Sequence, residues 1–402
     1  MKKICMVLLL GTLFVCACQK AKTVPNRKKD DGDTTVVNTK PIYDEVINYQ
    51  VQFILAAQLP DGPIMDTSVP GSRISPYFAD IAARALLKRP DATNIAAVKK
   101  WMVWYLGKLN GAINPVTGAP EVVGSIYDYY GAAETTNGTY DAVDSGASTF
   151  LSLAMELVVA SPADKAWVAG YAVKIKAVAD ALEKCIDNAN NNVNIAGGGF
   201  SPDDNDGLSI DLYAHGAKYL MDNAETNDGL KAMVWLESNV FNGDAAHYQQ
   251  LLDANTAGME SQLWRSKMYN WFDDNSKGNT NSKWPTFYAD ALGQLFPGML
   301  GVIDPLSSRA NGLYSAFNVH YPAWSNGTVY SGQFPFAVVS YAAAVINDKV
   351  RVDEYINHIL SFNRAGTQKP YWYNAEAAFV IMAASKMKSQ GNNSVFTPTN
   401  QF

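Results

Sequence analysis

Cysteine is scarce in this chain and badly placed for cross-linking. Of four cysteines, Cys5, Cys16 and Cys18 crowd the N-terminus and only Cys185 lies in the body of the chain. A disulfide framework is excluded, so stability must come from packing. Histidine is equally rare, and the four (His215, His247, His320, His358) show no metal-ligand spacing, so neither a metal nor a cofactor is expected. Basic charge is thin, with 32 Lys and Arg against 38 Asp and Glu. The one basic cluster, Arg27-Lys28-Lys29, runs straight into Asp30 and Asp31, which excludes a nucleic-acid surface. Long apolar runs are also missing apart from Ile4 to Val15, which is too short to read as a spanning helix.

That run has the form of a targeting signal, with Lys2 and Lys3 ahead of it and Val15-Cys16-Ala17-Cys18 behind it. The last four residues resemble a bacterial lipobox, which implies lipidation at Cys18 and a signal peptide over residues 1–17. Loss of Lys2 and Lys3 takes the basic count from 32 to 30 against 38 acids, a net charge of −8. Residues 18–40 are polar and without hydrophobic period, and read as a flexible tether. Residues 391–402 have the same character and read as a C-terminal tail, leaving a domain over 41–390.

From Tyr43 onward the periodicity is helical. Between Ala166 and Ile186, Val168, Tyr171, Ile175, Val178, Leu182 and Cys185 recur at three- and four-residue spacing, opposite Lys174, Lys176, Asp180 and Lys184. Ser161 and Pro162 predict an N-cap and first helical position there. Val98, Trp101, Met102, Tyr105 and Leu109 make a second such stripe, and Val352, Tyr355, Ile356 and Ile359 a third. These are outer helices with one wet face.

A second set is apolar or small all round, and such helices are buried on all sides. The segments are 81–87, 147–159, 291–300, 336–346 and 377–384, with 208–220 expected as the third member in spite of Asp211 and His215. Several share an entrance signature of an aromatic residue, a carboxylate and then small residues. It reads Tyr77-Phe78-Ala79-Asp80, Tyr140-Asp141-Ala142-Val143-Asp144, Tyr288-Ala289-Asp290 and Tyr373-Asn374-Ala375-Glu376. Buried helices lead to outer ones through short turns, and outer helices return through long loops near 59–75, 110–140, 188–206, 271–286, 319–333 and 364–372. Six long loops and six buried helices imply six hairpins in a closed ring, with every long loop at one end. An open helical solenoid is the alternative, but no 34- or 40-residue period is present.

The segments Gln58 to Gly62, Ile126 to Tyr129, Tyr140 to Ala154 and Phe287 to Pro297 resemble the six-hairpin glycosidase-like superfamily over about residues 42–390. The resemblance implies an all-α (α/α)6 toroid of an uncharacterised bacterial lipoprotein branch, active on carbohydrate.

Hydrolysis of a glycosidic bond needs two carboxyl groups flanking it, about 5–5.5 Å apart for retention and about 6.5–9.5 Å for inversion. The loop end of the ring offers Asp128, Asp141, Asp144 and Asp290 as catalytic candidates. Asp141 and Asp144 stand three apart at a helix entrance, where one cap needs only one acceptor. Asp61, in the turn Pro60-Asp61-Gly62, and the aromatic residues Tyr127, Tyr129, Tyr140, Trp284, Tyr288, Trp324, Tyr371 and Trp372 are the expected substrate contacts. Loop tryptophans also serve as small local cores, but three successive long loops carrying them point to a stacking platform. Asp80 reads as a structural partner of Arg84 one turn on. Asp203-Asp204-Asn205-Asp206-Gly207 has the look of a calcium loop, yet Pro202 stands where its first acid belongs, so it reads as a helix start.

The expectation is an extracytoplasmic, lipid-anchored glycoside hydrolase, monomeric, using two carboxylates on a polysaccharide or oligosaccharide. A polysaccharide lyase, with a Tyr or His base beside Arg73 or Lys283, and a non-catalytic glycan-binding lipoprotein remain open.

Overall fold

The computed structural model describes residues 40–189, 201–213, 216–274 and 280–390. The expected signal peptide, Cys18, nearly all of the tether, the Gly197–Gly199 loop, His215 and the C-terminal tail lie outside them. Among the described residues thirteen helices follow in order: α1 Lys40–Ala57, α2 Pro76–Leu86, α3 Ala92–Gly107, α4 Asp144–Ala160, α5 Lys165–Ala169, α6 Ala172–Cys185, α7 Leu220–Leu236, α8 Ala245–Gly258, α9 Phe296–Met299, α10 Ser308–His320, α11 Val338–Val345, α12 Lys349–Arg364 and α13 Asn374–Gln390. No single helix among these residues is long and apolar enough to cross a membrane.

The inner ring is α2, α4, α7, α9, α11 and α13, each packed on the next, and α13 packs back on α2. That closure makes the fold an (α/α)6 toroid and excludes a solenoid, whose repeats meet only their chain neighbours. The seam carries its own polar lock. Gln50 of α1 donates to Asn363 Oδ1 of α12 and accepts from Trp372 Nε1, both at 2.9 Å and both buried.

The alternation of helix types has a local cause. The outer helices start from short turns and are capped by a side chain: Asp91 for α3, Asp244 for α8, Ser307 for α10 and Asp348 for α12. Inner helices α2, α4, α7 and α11 start from long loops without a side-chain cap of that kind. The positive ends of their dipoles therefore gather at the long-loop end. Small residues bring these helices close together. A Cβ on Gly229 of α7 would sit 2.6 Å from the Ser148 Cα of α4.

Four expectations are corrected here. Residues 208–220 are not the third buried helix; that place is held by Leu220–Leu236, and the described residues 208–213 and 216–219 form no helix. Helix 166–186 is broken at Gly170-Tyr171, and Ser161 gives no cap to a backbone N–H; its hydroxyl donates to Asp164 at 2.7 Å. The fourth inner element is likewise interrupted, by the extended backbone of Tyr288, and its regular part is only α9. Finally, Arg84 does not pair with Asp80. Asp80 is fully buried and accepts from Trp101 Nε1 at 2.7 Å, tying α2 to α3, while Arg84 reaches Glu156 and Asp228 at 2.7 and 2.9 Å.

Candidate active site

At the long-loop end the chain forms a mouth whose rim can be followed residue by residue. Two short strands, Arg73–Ile74 (β1) and Tyr129–Tyr130 (β2), pair antiparallel and join the first two long loops. They bring Arg73 to 3.2 Å from Asp128. The guanidinium also lies 5.7 Å from the ring of Phe78. From Phe78 an aromatic wall continues through Tyr373 at 4.9 Å, Phe334 at 6.1 Å, Phe336 at 6.1 Å and Tyr288 at 5.8 Å. Tyr288 and Phe334 are 55% and 53% exposed, so this wall faces solvent.

The opposite half is acidic. On the first turns of α7, Asp222 lies close enough to Asp144, Glu225, Asp211 and Asp141 to be repelled by them, and Glu225 close enough to Asp144. Burial first, and those neighbouring charges next, hold the Asp222 carboxyl well above the usual carboxylate range. The residue as a whole is half-buried. Burial raises Glu225 to about 8 although Tyr77 donates to it at 2.5 Å. Burial likewise lifts Asp128 to about 6 against the pull of Arg73. Asp66, beside the same arginine, is lifted to about 7. The charges of Asp222 and Asp141 reach Tyr288, whose hydroxyl burial pushes up to about 12, and this closes the rim where aromatic and acidic halves meet.

The expected site residues separate into those at the mouth and those beneath or outside it. Asp141 is exposed on the loop entering α4, and Asp128 is at the rim with Arg73. Asp144 is fully buried under the mouth. Its Oδ2 accepts from Ser209 at 2.6 Å and its Oδ1 from the Ser145 N–H at 2.7 Å. Burial brings it to about 7. Neither Asp141 nor Asp144 is the N-cap of α4, a place taken by Val143. Asp290 is buried, with Oδ2 accepting the Lys283 N–H at 2.8 Å, which braces the loop ahead of the fourth inner segment. Asp61 is exposed and paired with Glu134, which in turn binds Lys108 at 2.6 Å.

Of the aromatic residues, Tyr288 alone of the expected set stands on the acidic–aromatic junction. Tyr127 and Tyr140 stack on each other and both donate to Glu121, at 2.7 and 2.9 Å, making a loop brace. Tyr129 packs on Trp104 and Lys108. The tryptophans do not form a platform. Trp284 stacks on His320, Trp324 is buried and donates to Asn318, and Trp372 is buried in the ring seam. Tyr371 is exposed, with a backbone φ of 59°.

Sequence reasoning missed Asp222, Glu225, Asp66, Phe78, Phe334 and Phe336. One signal was there to be read. Tyr219 and Asp222 repeat, at the same three-residue spacing, the Tyr77/Asp80 and Tyr373/Glu376 entrances. The third of these pairs shows one use of the pattern: Glu376 caps α11 by accepting the Phe336 and Ala337 N–H groups.

The mouth has a consequence for stability. Asp66, Asp144 and Glu376 are raised to about 7 and Glu225 to about 8, so each holds its proton more tightly folded than unfolded. The folded chain then binds more protons between the ordinary carboxylate range and pH 8. The stabilisation is complete at low pH and is lost as pH rises through those raised values. Thermal unfolding is expected to give a Tm lower by about 5 °C or more at pH 8.5 than at pH 5.5. Glu225→Gln should flatten that slope, and a Tm that rises over this interval would contradict the assignment.

No known family model matches the sequence, and no curated protein does so. Solved structures do share the fold. A variant glycosidase in complex with glucose superposes with a TM-score of 0.59 at 10% identity, covering 87% of this chain and 98% of its own. A D-mannose isomerase gives 0.52 at 11% identity over 89% of this chain and 100% of its own. An uncharacterised conserved protein from Thermus thermophilus gives 0.54 at 10% identity over 84% and 99%. The six-hairpin toroid is thus a shared architecture, and a glycosidase and an isomerase on one scaffold leave the chemistry to the residues of the mouth.

Proposed function

We propose that this protein is a glycoside hydrolase that cleaves an oligosaccharide or polysaccharide with two carboxyl groups of the mouth. The observation that carries this reading is Asp222, on a half-buried residue near the exposed Asp141 and the exposed Tyr288 of the aromatic wall, with its carboxyl held well above the usual range. A carboxylic acid that keeps its proton at neutral pH is what the leaving glycosidic oxygen requires. In this account Asp222 gives its proton to that oxygen as the C1–O bond breaks. Asp141 acts on the other side, as base toward water or as nucleophile, and water supplies the new hydroxyl at C1. Phe78, Tyr373, Phe334 and Tyr288 offer flat apolar faces to sugar C–H groups, and Asp128 and Arg73 take hydroxyls. The likeness to a glycosidase bound to glucose supports the same substrate class.

The N-terminal residues support placing the enzyme outside the cytoplasm, anchored through a lipidated Cys18. Cys18→Ser should then move the protein from the membrane to the soluble fraction. The function is tested by product analysis after incubation with a glycan panel, comparing the wild type with Asp222→Asn, Asp141→Asn and Asp128→Asn. New reducing ends that vanish in Asp222→Asn and Asp141→Asn are expected. Unsaturated products would replace hydrolysis by a lyase reaction, and saturable binding without products would leave a glycan-binding protein.

A further inference from the structure

The turn Asp203–Gly207 starts no helix and instead helps to enclose a buried ammonium. Lys218 has no exposed surface, and its Nζ lies 2.7 Å from Asp187, 3.0 Å from Asp204 and 2.9 Å from Asp206. Its three N–H bonds are committed there, and that cluster is closed. The ion pair at the rim of the mouth is built otherwise. The Arg73 side chain is 32% exposed, and its polar partners among the described residues are the Ser75 hydroxyl at 3.1 Å and Asp128 at 3.2 Å, both through Nη2. The N–H bonds of Nε and Nη1 have no acceptor among those residues. Asp128 is equally incomplete. Its Oδ2 faces Arg73, and its Oδ1 accepts nothing among the described residues.

These two side chains come from different long loops, and the backbone holds them together. Arg73 of β1 lies opposite Tyr130 of β2, and Asp128 stands immediately before that strand. The Gly131 N–H donates to the Ser72 carbonyl at 2.9 Å, and the Asp66 N–H to the Arg73 carbonyl at 2.7 Å. The guanidinium also lies 5.7 Å from the Phe78 ring, so open polar atoms stand beside an apolar face. A sugar has both kinds of surface, with C–H groups on its faces and hydroxyls round its edge. On its other side Asp128 lies within reach of the charge of Asp141, the proposed base or nucleophile.

Charge decides which sugar fits. Asp128 already supplies the counter-charge of Arg73, and the Asp66 carboxyl lies close enough to interact with both. The carboxylate of a uronate would find Arg73 paired and would meet the acids Asp66, Asp128 and Asp141. A hydroxyl both donates and accepts, so it suits open N–H bonds beside an open carboxylate oxygen. We propose that Arg73 and Asp128 select an uncharged sugar unit, holding its hydroxyls while its apolar face lies on Phe78, and reject uronates. This selection rests on the reading of the mouth as a carbohydrate site and makes its substrate a neutral glycan.

The test is binding of the labelled full chain to immobilised glycans, with product analysis on the same set. The set holds neutral gluco-, manno-, galacto- and xylo-oligosaccharides beside polygalacturonate and alginate. The wild type should be retained by at least one neutral glycan and by neither uronate. Arg73→Gln should weaken that binding by about tenfold or more. Asp128→Asn leaves the guanidinium without its counter-charge and should gain retention on a uronate polymer that fades with added salt, which a misfolded variant would not do. Preference of the wild type for either uronate, retention on no glycan, or neutral binding kept within about twofold by Arg73→Gln would overturn the proposal. So would an Asp128→Asn protein that still rejects both uronates. Neutral binding that depends on Arg73, without products from the wild type, would uphold this selection and remove the hydrolase reading. Products formed equally fast by Arg73→Gln would do the reverse.

Discussion

Asp222→Asn is expected to lower kcat by about 10²–10⁴-fold on whichever glycan the wild type cleaves, with KM little changed. The substitution keeps the size of the side chain and removes only the acidic proton. Burial first, and then the charges of Asp144, Glu225, Asp211 and Asp141, favour the protonated form of that carboxyl. The alkaline limb of the pH–rate profile should belong to it and disappear in the variant. The group titrates within a cluster, so the limb reports the apparent value of the whole set. Asp144→Asn separates chemistry from support. Asp144 has no exposed surface and holds Ser209, whose hydroxyl also lies 2.8 Å from Thr226 of α7, so its loss should show first in thermal stability. Phe334→Ala should act oppositely to Asp222→Asn, raising KM with kcat largely retained, because it removes exposed stacking surface. An Asp222→Asn enzyme that keeps more than about a tenth of its rate would remove Asp222 from the catalytic pair.

Arg84→Ala is expected to cost about 3–5 kcal/mol of folding stability. Arg84 ties three inner helices together. From α2 it donates to Glu156 of α4 at 3.0 and 2.7 Å and to Asp228 of α7 at 2.9 Å. Ser152 adds a bond to Asp228 at 2.8 Å and Lys88 one to Glu156 at 2.7 Å. The Arg84, Glu156 and Asp228 side chains are less than a fifth exposed. Removal of the guanidinium leaves two carboxylates facing each other without their shared cation, which is far costlier than losing a surface pair. Lys88 is more exposed, at 31%, so Lys88→Ala should cost under about 1 kcal/mol. Urea unfolding of both variants checks the contrast, and equal small losses would refute it.

The success and failure of the sequence reading have one physical origin. Ala147 to Val159 and 377–384 were legible as inner helices because apolar and small residues on every face have no other place to go. Leu220–Leu236 was not, because its buried faces carry Asn223, Thr226 and Asn227. These meet distant partners: Asn223 accepts from Ser209, and the Asn227 amide donates to Asn255 and Thr256. A polar residue with a tertiary partner and one in water look alike in sequence. The error moved the third inner helix by about three turns and took Asp222 and Glu225 out of sight. The tryptophans failed similarly, since an indole in a long loop has the same spelling whether it faces sugar or, like Trp324, a buried asparagine.

What the chain determined by itself was the count of hairpins and their direction, because hydrophobic period and loop length are local quantities written along the sequence. It also placed carboxylates and aromatic rings at the entrances of the inner helices. Which of them face the mouth was decided only by closure of the ring. Protonation depends on burial and on charges that arrive from other hairpins, as Asp141 and Asp144 reach Asp222 across two loops. Asp187 meets the Asp203–Gly207 turn by the same route, through the buried Lys218 ammonium and through space rather than along the chain.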